Sequence, residues 1–114
     1  MIKHLGGRKL GRTSSHRRAL LSNMATSLFL HERIVTSITK AKELRPFAER
    51  LITEAKRGKH QSVRRRIHDK KVYKKLFEVL APRYQNRPGG YTQIFRVGRR
   101  VGDNTEQGLV RLIQ

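Results

Sequence analysis

Between residues 20 and 29 the chain sets Leu20, Leu21, Met24, Ala25, Leu28 and Phe29 at three- and four-residue spacing. That repeat constrains the fold more than any other feature, because it makes one helix face apolar and requires something to bury it against. Thr13, Ser14 and Ser15 stand just ahead of it, and a side-chain oxygen there can accept from an amide that the first turn leaves unpaired. The charge at this end opposes the helix. Arg17 and Arg18 fall in or near the first turn, where the macrodipole is positive and favours Asp or Glu. His16 and four upstream cations, Lys3, Arg8, Lys9 and Arg12, add to the repulsion. An outside anion relieves it, and free amides at a helix start already form an anion site. This end is expected to be a phosphate dock.

The rest of the chain repeats the imbalance. In 114 residues there are 27 Lys and Arg against 8 Asp and Glu, a formal charge of +19. Self-repulsion on that scale destabilises a compact state unless a polyanion neutralises it, which makes nucleic acid the leading partner. The length suits one domain with a modest core rather than a deep substrate cleft. There is no Trp, with four Phe and three Tyr, which argues against a surface reading single strands mainly by base stacking. With no cysteine, disulfides and thiolate metal sites are excluded.

Residues 1–12 carry Lys3, His4, Arg8, Lys9 and Arg12 among glycines and are expected to form a basic extended arm, with residues 13–114 as the single domain. Gly6 and Gly11 flank four residues and Arg12-Thr13 follow, approximating the phosphate-loop pattern with Arg in place of Lys. That motif needs a preceding buried strand, and only five residues come before Gly6. The scarcity of acids before Glu32, with frequent Ser, Thr and Arg, also resembles a transit peptide. The apolar stripe weighs against it, since removing the segment removes part of a core. No apolar run approaches the length that spans a bilayer, and the N-terminus lacks the apolar segment of a signal peptide.

Arg33 to Ser37 is short and β-branched, so it reads as a strand. Thr39 is expected to cap a second helix striped by Ala41, Leu44, Phe47, Ala48, Leu51, Ile52 and Ala55. Pro46 either kinks that helix or begins a new one, and Gly58 suits its C-terminal cap. Residues 56–75 hold ten Lys and Arg, including Arg64 and Arg65, against a single acid, Asp69. Val63, Ile67, Val72, Leu76, Phe77 and Leu80 there predict two short helices with one apolar edge and a basic outer face. Pro82 is expected to end the helical part, with Arg83 to Tyr91 forming a loop turned by Pro88-Gly89-Gly90. Tyr91 to Val97 alternates as a strand, Gly98 to Gly108 reads as a long glycine-punctuated loop, and Leu109 to Ile113 closes a hairpin. The expected architecture is α+β: about four helices packed on a small three-stranded sheet, with the basic arm extended from it.

No catalytic constellation assembles. His31-Glu32 opens like a zinc-protease motif, but its fifth position is Val35. The five histidines show no metal-ligand spacing with any cysteine, and Ser14, Ser15 and His16 merely adjoin, where a nucleophile and base must converge. No enzyme, metal, cofactor or small-molecule substrate is expected. A DNA-binding helix-turn-helix needs a tight turn between its helices, and here Glu32 to Thr39 intervenes with strand character. A membrane-surface helix needs an exposed apolar face, whereas these stripes look like one shared core.

Several segments resemble a known family. Arg8-Lys9-Leu10-Gly11-Arg12-Thr13-Ser14-Ser15-His16-Arg17-Arg18-Ala19-Leu20-Leu21, Asn23 to Leu28, Lys40-Ala41-Lys42-Glu43-Leu44-Arg45-Pro46-Phe47 and Arg87-Pro88-Gly89-Gly90-Tyr91-Thr92 resemble, in order, the bacterial large-subunit ribosomal proteins numbered seventeen. Ser22 and Gln93 stand where that family often carries a basic residue. The resemblance implies a structural constituent of the large ribosomal subunit, cytoplasmic, bound to ribosomal RNA and to neighbouring proteins near the polypeptide exit. The RNA-contacting set expected from the residue pattern and the resemblance taken together is Lys3, His4, Arg8, Lys9, Arg12, Thr13, Ser14, Ser15, His16, Arg17, Arg18, Lys40, Lys42, Arg64, Arg65, Arg83, Tyr84, Arg87, Gly89, Gly90 and Tyr91.

Overall fold

A computed structural model describes residues 14–114. Helix α1 runs Ser14–His31, strand β1 Arg33–Ser37, α2 Ile38–Lys56 and α3 His60–Arg64. Helix α4 occupies 70–83 without a break: an α-helical stretch Lys70–Lys75, a π-helical turn Leu76–Leu80 and a last turn Ala81–Arg83. Strands β2 (Thr92–Arg99) and β3 (Glu106–Leu112) follow. The four helices pack against a three-stranded antiparallel sheet of order β1-β3-β2, the α+β arrangement that the residue pattern implies.

The stripe on α1 buries Leu21, Ala25, Leu28 and Phe29, and α2 meets it with Leu44, Ala48, Leu51 and Ile52. Val63, Ile67, Val72, Leu76 and Leu80 pin the basic segment to the same core. Each such large apolar side chain contributes roughly 1.5–3 kcal/mol by leaving water. The sheet offers the core Ile34, Val110 and Ile94, which sit side by side across the strands. On its other face Val35, Leu109 and Phe95 form the matching row, with the Arg111 guanidinium 5.0 Å from the Phe95 ring centre.

One residue joins α1 to β1. Glu32 has φ 66°, and its N–H donates to the Leu28 carbonyl at 2.7 Å, closing the helix with a left-handed cap. Helix α2 begins two residues earlier than Thr39 would start it. Ser37, the last residue of β1, is the cap, its hydroxyl accepting from the Lys40 N–H at 3.3 Å. The early start lays Ile38 against Gly108 of the central strand. A Cβ at 108 would meet Ile38 Cδ1 at 2.9 Å and the Ala41 side chain at 3.4 Å. Pro46 lies inside the continuous α2 and does not begin a new helix.

At the far end of α2, Gly58 has φ +72°, its N–H bonds the Ala55 carbonyl and the Lys59 N–H bonds that of Glu54. These two bonds make a Schellman cap. Pro82 does not stop α4, which continues to Arg83. Proline lacks an N–H and crowds the carbonyl four residues back, and the widened π turn directly before it gives that ring room. The hairpin is longer than the residue pattern suggests, because β2 extends to Arg99 and β3 begins at Glu106, leaving 100–105 as the turn. A bulge between Arg96 and Gly98 keeps the two strands in step.

Candidate nucleic-acid interface

Of the expected contact residues, Lys3, His4, Arg8, Lys9, Arg12 and Thr13 lie outside the described residues. Ser14 opens α1, so Ser15, His16 and Arg17 occupy its first turn and Arg18 begins the next. Arg18 is exposed and Arg17 half-buried. Both line a cleft of about 430 Å³ between the start of α1, the middle of α2 and the α3 region. Across that cleft stand Arg50, which local sequence patterns do not single out, and Arg66, one of the ten cations of residues 56–75. Leu21, Pro46, Phe47 and Leu51 supply its apolar lining, and Glu43 and Glu54 its acids. Glu54 accepts from the Ser62 hydroxyl at 2.7 Å, tying α3 to α2. Four arginines line this one opening, and a guanidinium group carries forked donors that match phosphate oxygens in pairs.

The second group sits on α3 and α4. Arg64 and Arg65 are exposed, with the Arg64 guanidinium carbon 5.3 Å from the Tyr73 ring centre. Asp69, the one acid of residues 56–75, caps α4 by accepting from the Lys71 and Val72 amides at 2.9 and 3.2 Å. Lys40 and Lys42 lie near the start of α2, whose first turn has no acid; Lys42 is exposed and Lys40 half-buried.

The third group departs from expectation. Tyr84 and Tyr91 are 2% and 1% exposed, with ring centres 5.1 Å apart. The Tyr84 hydroxyl donates to the Ile113 carbonyl, and burial pushes its pKa up. The Tyr91 hydroxyl accepts from Lys56 Nζ at 3.0 Å and lies 3.2 Å from the Thr53 hydroxyl. Burial alone would raise the Tyr91 pKa, but these two partners and the Lys56 charge outweigh it and lower it. Neither ring has a face free to stack on a base; the pair fastens the loop to α2 and the chain end. Arg83 is likewise engaged internally, donating to both oxygens of Glu32 at 2.6 and 3.2 Å. Arg87 and Gly90 are exposed and Gly89 is half-buried, and the Arg87 carbonyl accepts from Lys56.

The acids show where the field points. Glu32 takes Arg83 and Lys75, Glu49 takes Arg45 and Thr92, and Glu106 takes Arg96. Asp103 pairs with Arg100, while Glu54 and Asp69 hold Ser62 and two backbone amides. At least six of the eight carboxylates therefore bond partners within the chain, Asp103 and Glu106 doing so at the surface. Among the described residues no group of three or more His, Cys, Asp or Glu could hold a metal ion, and no helix is long and apolar enough to cross a membrane.

A family model described as ribosomal protein L17 matches residues 20–113. The protein named large ribosomal subunit protein bL17 from Elusimicrobium minutum is 55% identical over 113 residues, covering 99% of each chain. Its namesake from Endomicrobium trichonymphae is 48% identical over 116 residues, again covering 99% of each. That from Anaeromyxobacter dehalogenans is 54% identical, over 98% of this chain and 72% of its own. On a family match that spans most of its length, this chain belongs to the ribosomal protein L17 family and is a ribosomal protein, not an enzyme.

Proposed function

We propose that this protein is a structural constituent of the large ribosomal subunit that binds ribosomal RNA through basic surfaces. The bound surfaces are the start of α1 with its arginine cleft, the exposed cations of α3 and α4, and the arm formed by residues 1–12. Residues 13–114 act as one RNA-binding domain, which also touches neighbouring subunit proteins near the polypeptide exit. The observation that carries this reading is the internal engagement of the acids in a chain of charge +19, which leaves the outward field positive. Lys and Arg on that surface release counterions from crowded phosphates, and each contact made adds to the salt dependence of binding. The names of the relatives point to the same subunit.

The test is filter binding of the purified chain to a large-subunit ribosomal RNA transcript over a range of salt. Binding should weaken steeply as salt rises, and Arg17→Glu with Arg18→Glu should weaken it further while thermal unfolding stays near wild type. Binding indifferent to both salt and the double variant would refute the proposal.

A further inference from the structure

His60 is exposed, yet its ring is firmly held. It lies parallel to the Phe77 ring, with centroids 4.1 Å apart and planes 12° from each other. Its Nδ1 sits 2.6 Å from the Tyr73 hydroxyl, and Tyr73 in turn leans on Phe77 at 4.8 Å. One face and one edge of the imidazole are thus occupied by the protein, so its exposed area falls on the opposite face and the Nε2 edge. The core does not need that ring: Val63, Ile67, Val72 and Leu76, each at most 1% exposed, already anchor the segment. Lys59 adjoins His60 in the chain, and Arg64 stands one helical turn on, over the Tyr73 ring.

We propose that the free face of His60 is a stacking platform for one unpaired base of the bound RNA, resting on the RNA-binding function put forward above. A base there becomes the third layer of a stack whose lower two layers are already in place. Because Phe77 and Tyr73 fix the imidazole before binding, little side-chain freedom is lost when the base arrives. Every base has a π face, so the platform accepts any of the four, while Lys59 and Arg64 meet the phosphates on either side. A low count of Phe, Trp and Tyr does not reveal such a site, since its top layer is a histidine.

The chain has no tryptophan, so His60→Trp places a single indole at the platform. Selectively excited, its emission should be quenched when a large-subunit ribosomal RNA transcript is added, with affinity kept. His60→Ala should weaken binding about tenfold at unchanged salt slope, because stacking is lost and no phosphate contact is. His60→Phe should restore it. If wild type binds the transcript while His60→Ala binds equally well, or the His60→Trp emission stays unquenched, the platform is refuted and the broader function stands. If wild type fails to bind the transcript, both fall together.

Discussion

The Glu32 carboxylate accepts from both terminal nitrogens of Arg83, 51 residues further along the chain, and from Lys75 at 3.0 Å. The backbone of Glu32 is bonded at both ends as well. Its N–H closes α1 and its carbonyl accepts from the Leu112 N–H at 2.9 Å. One residue, held in a left-handed conformation that costs a non-glycine roughly 1–2 kcal/mol, joins α1, α4 and the last strand. Its charge belongs to the fold and not to the RNA surface.

Acid should loosen this junction. The Arg83 hydrogen bonds, with help from Lys75 and against a smaller effect of burial, hold the Glu32 pKa at about 2 rather than 4.5. A depressed carboxylate adds stability that is complete above the unfolded value and disappears as pH falls toward the folded one. Stability should therefore drop between about pH 4.5 and pH 2, and Glu32→Gln should flatten that part of the profile while costing roughly 1–3 kcal/mol near neutrality. Chemical denaturation across pH measures both, and an unaltered acid limb in the variant would contradict the assignment.

Gly108 should resist enlargement in proportion to size. The Ile38 methyl at 2.9 Å is the end of a flexible side chain, so Gly108→Ala should cost only about 1 kcal/mol. Gly108→Val pushes further into Ile38, Ala41 and Ile94 and should cost about 3 kcal/mol. Urea unfolding midpoints at constant slope give the comparison.

Tyr84→Phe and Tyr91→Phe should each lower stability by about 1 kcal/mol, the loss of a hydroxyl's internal partner. Neither should change RNA affinity by more than about twofold. A large affinity loss without destabilisation would return the two rings to the interface.

Arg64→Ala with Arg65→Ala should act on salt dependence. If each arginine neutralises one phosphate, the slope of log affinity against log salt falls by roughly 1.5 for the pair. Binding isotherms at several salt concentrations read that slope directly.

The residue pattern already contained the helices, because the spacing of Leu21, Ala25, Leu28 and Phe29, or of Leu44, Ala48, Leu51 and Ile52, is a local property of a chain that must hide one face. Strand β1, the Gly58 cap and the positive balance were legible for the same reason: each depends on residues near in sequence or on composition alone. Tertiary structure decided what depends on distance. Arg50 and Arg66 join Arg17 and Arg18 only because α2 and the α3 region close around the start of α1. Gly108 looks like loop punctuation until Ile38 lies against it. Tyr84 and Tyr91, polar-tipped rings in a basic loop, look available for bases until Ile113, Thr53 and Lys56 arrive from elsewhere to bond their hydroxyls. Sequence order carries the charge and the amphipathic period; which side of an arginine or a ring meets solvent is fixed by partners tens of residues away.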